Sequence, residues 1–166
     1  MTRSVIPTLS KAGIKAVSIG VNQGTSPPAV PRVFRWVDKA SGQHVLGMLH
    51  KGGYPGNAGP NANSPGGLSR HDCMMTPGFD EALCFAFRTD NTGPPVSVDE
   101  VRGYFSLLRS EFPGARVEAS TFDAFTRNLL EAVDAGTVQL PVFDQEMGDT
   151  WLQVGIAQAR TEPMRK

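Results

Sequence analysis

Val138–Trp151 reads VQLPVFDQEMGDTW, an apolar run that stops abruptly in acids. Asp144, Glu146 and Asp149 fall within six positions, and Gly148 and Trp151 accompany them. A run of strand length that ends in carboxylates, a glycine and an aromatic is how many α/β enzymes deliver catalytic groups from the carboxyl end of a strand. The same residues also fit a polar turn behind a buried strand, with the acids solvated.

Working back from this stretch, the pattern alternates between helix and strand. Phe122, Phe125, Leu129, Leu130 and Val133 recur at helical spacing, and Gly136 stands just beyond them. Before that helix, Ala115 to Ala119 predicts a short strand ending at Ser120 and Thr121. Ser97 and Glu100 have capping-box spacing ahead of VDEVRGYFSLLRSEF, whose Val101, Tyr104, Phe105 and Leu108 share one face before Pro113 and Gly114 stop it. In Phe79 to Arg88 the segment LCFAF predicts a central strand that ends at Arg88, Asp90 and Asn91. Strand, helix, strand, helix, strand with short links is the order of βαβ units and a parallel sheet. Such a sheet places its strand carboxyl ends on one rim, so Asn22, Asp90, Asn91, Ser120 and the acids after Phe143 are expected to share a face.

The first third carries other elements. Val5, Ile6 and Leu9 predict a helix over Thr2 to Ala12, with Pro7 in its first turn and Gly13 as a left-handed cap. Ile14 to Val21 reads as a buried strand that ends at Asn22 and a Gly/Pro loop. Val33 to Val37 and His44 to His50 read as two strands of a hairpin joined by DKASGQ. Lys51 to Gly78 has almost no periodicity, which suits a lid, a binding loop or a disordered insert; Tyr54, Arg70, His71 and Asp72 are its candidate contact residues.

Composition bounds the function. The chain has 166 residues, 40% of them hydrophobic, enough for one domain with a core. Sixteen basic and sixteen acidic side chains give zero formal net charge with no long run of either sign. That balance argues against a nucleic-acid or anionic-membrane surface and favours a small or uncharged ligand. No apolar stretch reaches the roughly 20 residues that span a bilayer, and MTRSVIPTLSKAG lacks the apolar core of a secretory signal, so a cytoplasmic product is expected. Cys73 and Cys84 match no CxxC-type metal or redox spacing. They can pair, although Cys84, inside an apolar run, reads as a buried thiol. The 18 glycines and 13 prolines concentrate in two loops, as in an ordered domain with long excursions.

Other candidates have ordinary readings beside the chemical ones. His50 and His71 can act as ligands or proton carriers, or stand as solvated side chains. Asp90 and Asn91 suit a sugar hydroxyl and equally suit a turn at Asn-Thr-Gly-Pro. GGYPGNAG holds no phosphate-loop pattern, and Ser69 and Ser120 lack a nucleophile-elbow context.

AGIKAVSIGVN with its SPPAVP, SRHDCMMTPGFDEALCFAFRTDNTGPP, YFSLLRSEFPGARVEASTFDAF and LPVFDQEMGDTW together resemble the middle of an uncharacterised family, domain-of-unknown-function family 5054. That family is similar to the glycoside hydrolase family 38 α-mannosidases among the (β/α)7 barrels. The resemblance spans Thr2 to Leu152 and implies an α/β fold: an incomplete (β/α) barrel with mainly parallel strands, a hairpin and a long Gly/Pro-rich loop. Residues 1–152 would form this domain and residues 153–166 a poorly patterned tail. The metal-binding His-x-Asp and the nucleophile motif of such relatives have no counterpart here, and His71-Asp72 is an HD pair of different spacing.

What carries over is Gly148-Asp149-Thr150-Trp151, which looks like the turn that brings an acid to the sugar. On that likeness Asp149 is the candidate acid/base, and Glu146 or Asp144 a neighbour that raises its proton affinity. Trp151, Asp144, Asp90, Asn91 and Asn22 are candidate substrate contacts, with Trp151 stacking on a sugar or simply packing in the core. A glycosidase needs two carboxyl groups flanking the scissile bond. The expectation is therefore a carbohydrate-active fragment, inactive alone, with no cofactor of its own and a zinc-like divalent metal in complete relatives. The alternative is a truncated product that serves at most as a carbohydrate-binding or interaction module.

Overall fold

The computed structural model describes residues 2–20, 29–50, 68–86 and 94–147. Helix α1 (Ile6–Lys11) follows a 3-10 turn at Arg3–Val5, carries Pro7 in its first turn, and gives way to Gly13 at φ 80°. Strand β1 spans Ala16–Gly20, β2 Val33–Val37 and β3 His44–His50. Helices α2 (Val98–Glu111) and α3 (Phe122–Asp134) precede β4, a two-residue strand at Val142–Phe143. The fold is mixed α/β. None of the described helices is long and apolar enough to cross a membrane.

The four strands form an open sheet in the order β1-β3-β2-β4. β1 pairs with β3 and β2 with β4 in parallel, while β2 and β3 form the expected antiparallel hairpin. The hairpin turn is closed by Asp38 N donating to Gln43 O at 2.9 Å and by Gly42 at φ 72°. β3 is central and buried from Val45 to His50, which explains its near-continuous apolar sequence.

Strand alternation sorts the core into two layers. On one face Ile19, Phe34, Trp36, Val45 and Leu49 meet Ile6 of α1 together with Phe143 and Met147. On the other, Val33, Leu46 and Met48 meet Phe125 and Leu129 of α3, with Met74 and Val138. Removing this apolar area from water, at about 25 cal/mol per Å², is the main favourable term in the fold.

Several strand expectations are corrected. LCFAF is no central strand within the described residues: a single antiparallel bridge joins Leu83 to Met74. Phe79, Leu83 and Phe85 instead pack sideways on the α3 layer. Ala115 to Ala119 forms no strand and is largely exposed, since no strand among the described residues completes its hydrogen bonds. The predicted strand Val138 to Phe143 shortens to Val142–Phe143, because Pro141 has no N–H for a ladder. Cys84 is not a free thiol: it is joined to Cys73 by a disulfide.

Candidate functional site

The acid cluster begins where β4 is pinned to β2. Arg35 N donates to Pro141 O at 2.8 Å, Trp36 pairs with Phe143, and Trp36 Nε1 donates to Gln145 O at 2.9 Å. Phe143 meets Phe34 edge to face at 5.5 Å, and Met147 is fully buried. With alternate residues anchored inward, Asp144 and Glu146 are turned toward the start of the chain and the hairpin turn.

Both acids are engaged there by basic or donor groups. Asp144 pairs with the Lys39 ammonium, while its backbone oxygen accepts from Arg3 Nη1. Glu146 Oε2 accepts from the backbone N of Arg3 at 2.6 Å. Arg3 Nε also lies 3.6 Å from Asp38, which accepts from Ser41 Oγ at 2.6 Å. The Lys39 hydrogen bond holds the Asp144 carboxyl below the usual carboxylate range. The Ser41 hydroxyl does the same for Asp38, with the Arg3 charge adding to it. Asp144 is thereby held in its charged form, and Asp149, the candidate acid/base, lies outside the described residues.

Strand direction separates this cluster from the rim on which it was expected. β1 and β3 run one way and β2 and β4 the other, so Asp144 lies at the rim holding the amino ends of β1 and β3. The carboxyl ends of β1 and β3, Gly20 and His50, lie at the opposite rim. The expectation that the acids after Phe143 share a rim with the carboxyl end of β1 is thus overturned by the hairpin, which reverses β2 and its neighbour β4. Asn22, Asp90, Asn91, Asp149 and Trp151 lie outside the described residues. Ser120 is exposed just ahead of α3.

At the β1/β3 carboxyl rim the structure assembles a second polar group. Pairing of Ser18 with Met48 and of Gly20 with His50 sets Ser18 and His50 diagonally on the α3 face. Ser18 Oγ and His50 Nε2 are 2.9 Å apart. His50 is 4% exposed and meets the edge of Phe85 at 4.9 Å, whereas Ser18 is exposed. Burial, aided by the nearby Arg32 charge and opposed by Asp72, lowers the His50 pKa to about 4. The ring is therefore neutral at physiological pH and able to accept the Ser18 hydroxyl proton in a hydrogen bond. Arg32 Nη1 donates to Asp72 O at 3.3 Å, and the Asp72 carboxylate accepts from Ser69 Oγ at 2.5 Å.

Sequence reading named His50 and Asp72 separately and missed Ser18 and Arg32. Alternation in β3 was the available signal for the face His50 occupies. The register that brings Ser18 beside it is a long-range property. Among the described residues, no group of three His, Cys, Asp or Glu side chains is placed to hold a metal ion. Comparison of the chain with protein-family models, with curated proteins and with solved structures finds no match.

Proposed function

We propose that the chain is a carbohydrate-binding domain of glycoside-hydrolase-like type, an incomplete barrel in ancestry, that does not cleave glycosides by itself. The observation that carries the non-catalytic part is the engagement of Asp144 by Lys39 and of Glu146 by Arg3. Both groups are thereby tied to the start of the chain and the hairpin turn rather than set to face each other across a glycosidic bond, the arrangement glycoside cleavage requires. In this reading Asp149 is the acid/base of complete relatives, with their nucleophile and zinc-like metal supplied from elsewhere. Trp151, Asp90, Asn91 and Asn22 are sugar contacts.

The carbohydrate part draws support from the β1/β3 rim. A sugar presents vicinal hydroxyls that both donate and accept, and they match an exposed hydroxyl, a guanidinium and a carboxylate held in fixed positions. Ser18, Arg32 and Asp72 supply those groups, with His50 fixing Ser18. The test uses the 166-residue chain with manno-oligosaccharides and aryl α-mannosides, with and without zinc. We expect no turnover in the parent or in Asp149→Asn, and millimolar saccharide binding that moves the His50 imidazole resonances and is lost in Arg32→Ala. Turnover abolished by Asp149→Asn would make the chain a catalyst. An unmoved spectrum at saturating saccharide would end the carbohydrate reading.

A further inference from the structure

The Cys73–Cys84 disulfide occupies a junction between two cores. Its neighbours Met74 and Leu83 exchange both backbone hydrogen bonds, Met74 N to Leu83 O at 2.8 Å and Leu83 N to Met74 O at 3.1 Å. Residues 73–84 thus form a small closed loop. One side of it belongs to the sheet core: Met74 is fully buried there, and Phe79, Leu83 and Phe85 pack against the same cluster. The other side faces α2, where Cys84 packs with Leu68, Tyr104, Leu107 and Leu108.

Among the described residues, the groups on which helix α2 docks lie on or beside that loop. Its apolar contacts run to Leu68 and Cys84. Polar contacts come from Arg70, whose N donates to Glu111 Oε2 at 2.9 Å and whose guanidinium stacks 5.4 Å from the Phe112 ring. Leu68 and Arg70 precede Cys73 in a tight turn, in which Cys73 N and Asp72 N both donate to Ser69 O. The disulfide therefore ties the segment that receives α2 to the segment anchored in the sheet core.

We propose that this disulfide is a thiol-exchange site, opened by a dithiol reductant at Cys84, that controls the docking of α2. Cys84 is half-buried and Cys73 is 1% exposed, so Cys84 is the less covered of the two and is assigned as the point of attack. Attack forms a mixed disulfide at Cys84, breaks the bond to Cys73 and expels Cys73 as a thiolate, which takes up a proton. The second thiol of the reductant, as its thiolate, then displaces Cys84. Two electrons pass to the protein, two protein thiols form, and the reductant leaves as its own disulfide.

The reduced state is accommodated at one end and loosened at the other. Cys73 Sγ lies 3.3 Å from Ser69 O, so its new S–H has an acceptor already in place. Met74 keeps its place in the sheet core without the covalent link. The 68–70 segment loses its covalent tether to Cys84, so the surface on which Tyr104, Leu107 and Leu108 rest is no longer held as one piece. A reducing cytosol would favour the released form, and an oxidising compartment the docked one.

Hydrogen exchange on the chain purified without reductant, then repeated in dithiothreitol, tests this. Reduction should speed exchange of the α2 amides, residues 98–111, by at least about tenfold while β3 and α3 change little. Cys84→Ala should exchange like the reduced parent in the absence of reductant. Should that variant fail to fold, the comparison of oxidised and reduced parent decides alone. Equal α2 exchange in both states, loss of α2 and the sheet core together, or two free thiols in the chain purified without reductant would each overturn the proposal.

Discussion

Gly47 stands in the middle of β3 opposite Phe34, and the contact explains a glycine where β-branched residues are favoured. A Cβ built there would meet Phe34 Cζ at 2.3 Å and Cε2 at 2.4 Å, and the Phe34 ring is fully buried. Gly47→Ala should therefore destabilise the fold by about 1–3 kcal/mol or more, through overpacking rather than backbone strain. The midpoint of urea unfolding checks it, and an unchanged midpoint would mean that the ring can move. The sequence shows a glycine interrupting an apolar run but does not reveal the aromatic above it. That fact belongs to the register between β2 and β3.

At the scale of elements, the two long helices follow their local signals most faithfully. Ser97 Oγ accepts from Glu100 N at 3.1 Å, and Glu100 Oε2 reaches back to Val96 N at 2.8 Å. Thr121 Oγ likewise accepts from Ala124 N at 3.1 Å at the start of α3. Because the Ser97 cap sits at the exposed start of α2, it should matter more to the helix than to the whole chain. Ser97→Ala is expected to cost about 1 kcal/mol, seen as faster amide exchange in α2, with little change in α3. Exchange unchanged throughout α2 would show that Glu100 alone holds the first turn. The strands follow local signals less closely. The predicted strands at LCFAF and Ala115–Ala119 rested on composition, yet a strand exists only where a neighbour completes its hydrogen bonds.

For the whole molecule, pH dependence follows from burial of His50. Above the ordinary histidine range the ring is neutral in both folded and unfolded chains and contributes no pH dependence. As pH falls from about 6.5 to about 4, only the unfolded chain takes up the proton, so stability declines, by up to about 3 kcal/mol. His44, whose pKa is also lowered, chiefly by burial, acts with the same sign. Asp38 and Asp144 contribute stability that is lost only at lower pH, as the folded carboxylates protonate. Urea midpoints at pH 7 and pH 4.5 should therefore differ in the parent and differ much less in His50→Gln; equal losses in both would remove His50 as the cause. The α/β class, both long helices, the α1 turn and the β2–β3 hairpin are legible in the amino-acid order, because caps, glycines and periodicity act between residues close in the chain. It also picked out the acids after Phe143 as the sharpest chemical feature, since their clustering is local. Their surroundings come from the fold. Reversal of β2 and β4 relative to β1 and β3 sets Asp144 and Glu146 against Lys39 and Arg3, and the register of β1 on β3 brings Ser18 to His50. Pairing direction and register depend on contacts between segments far apart in the chain, which no local pattern encodes.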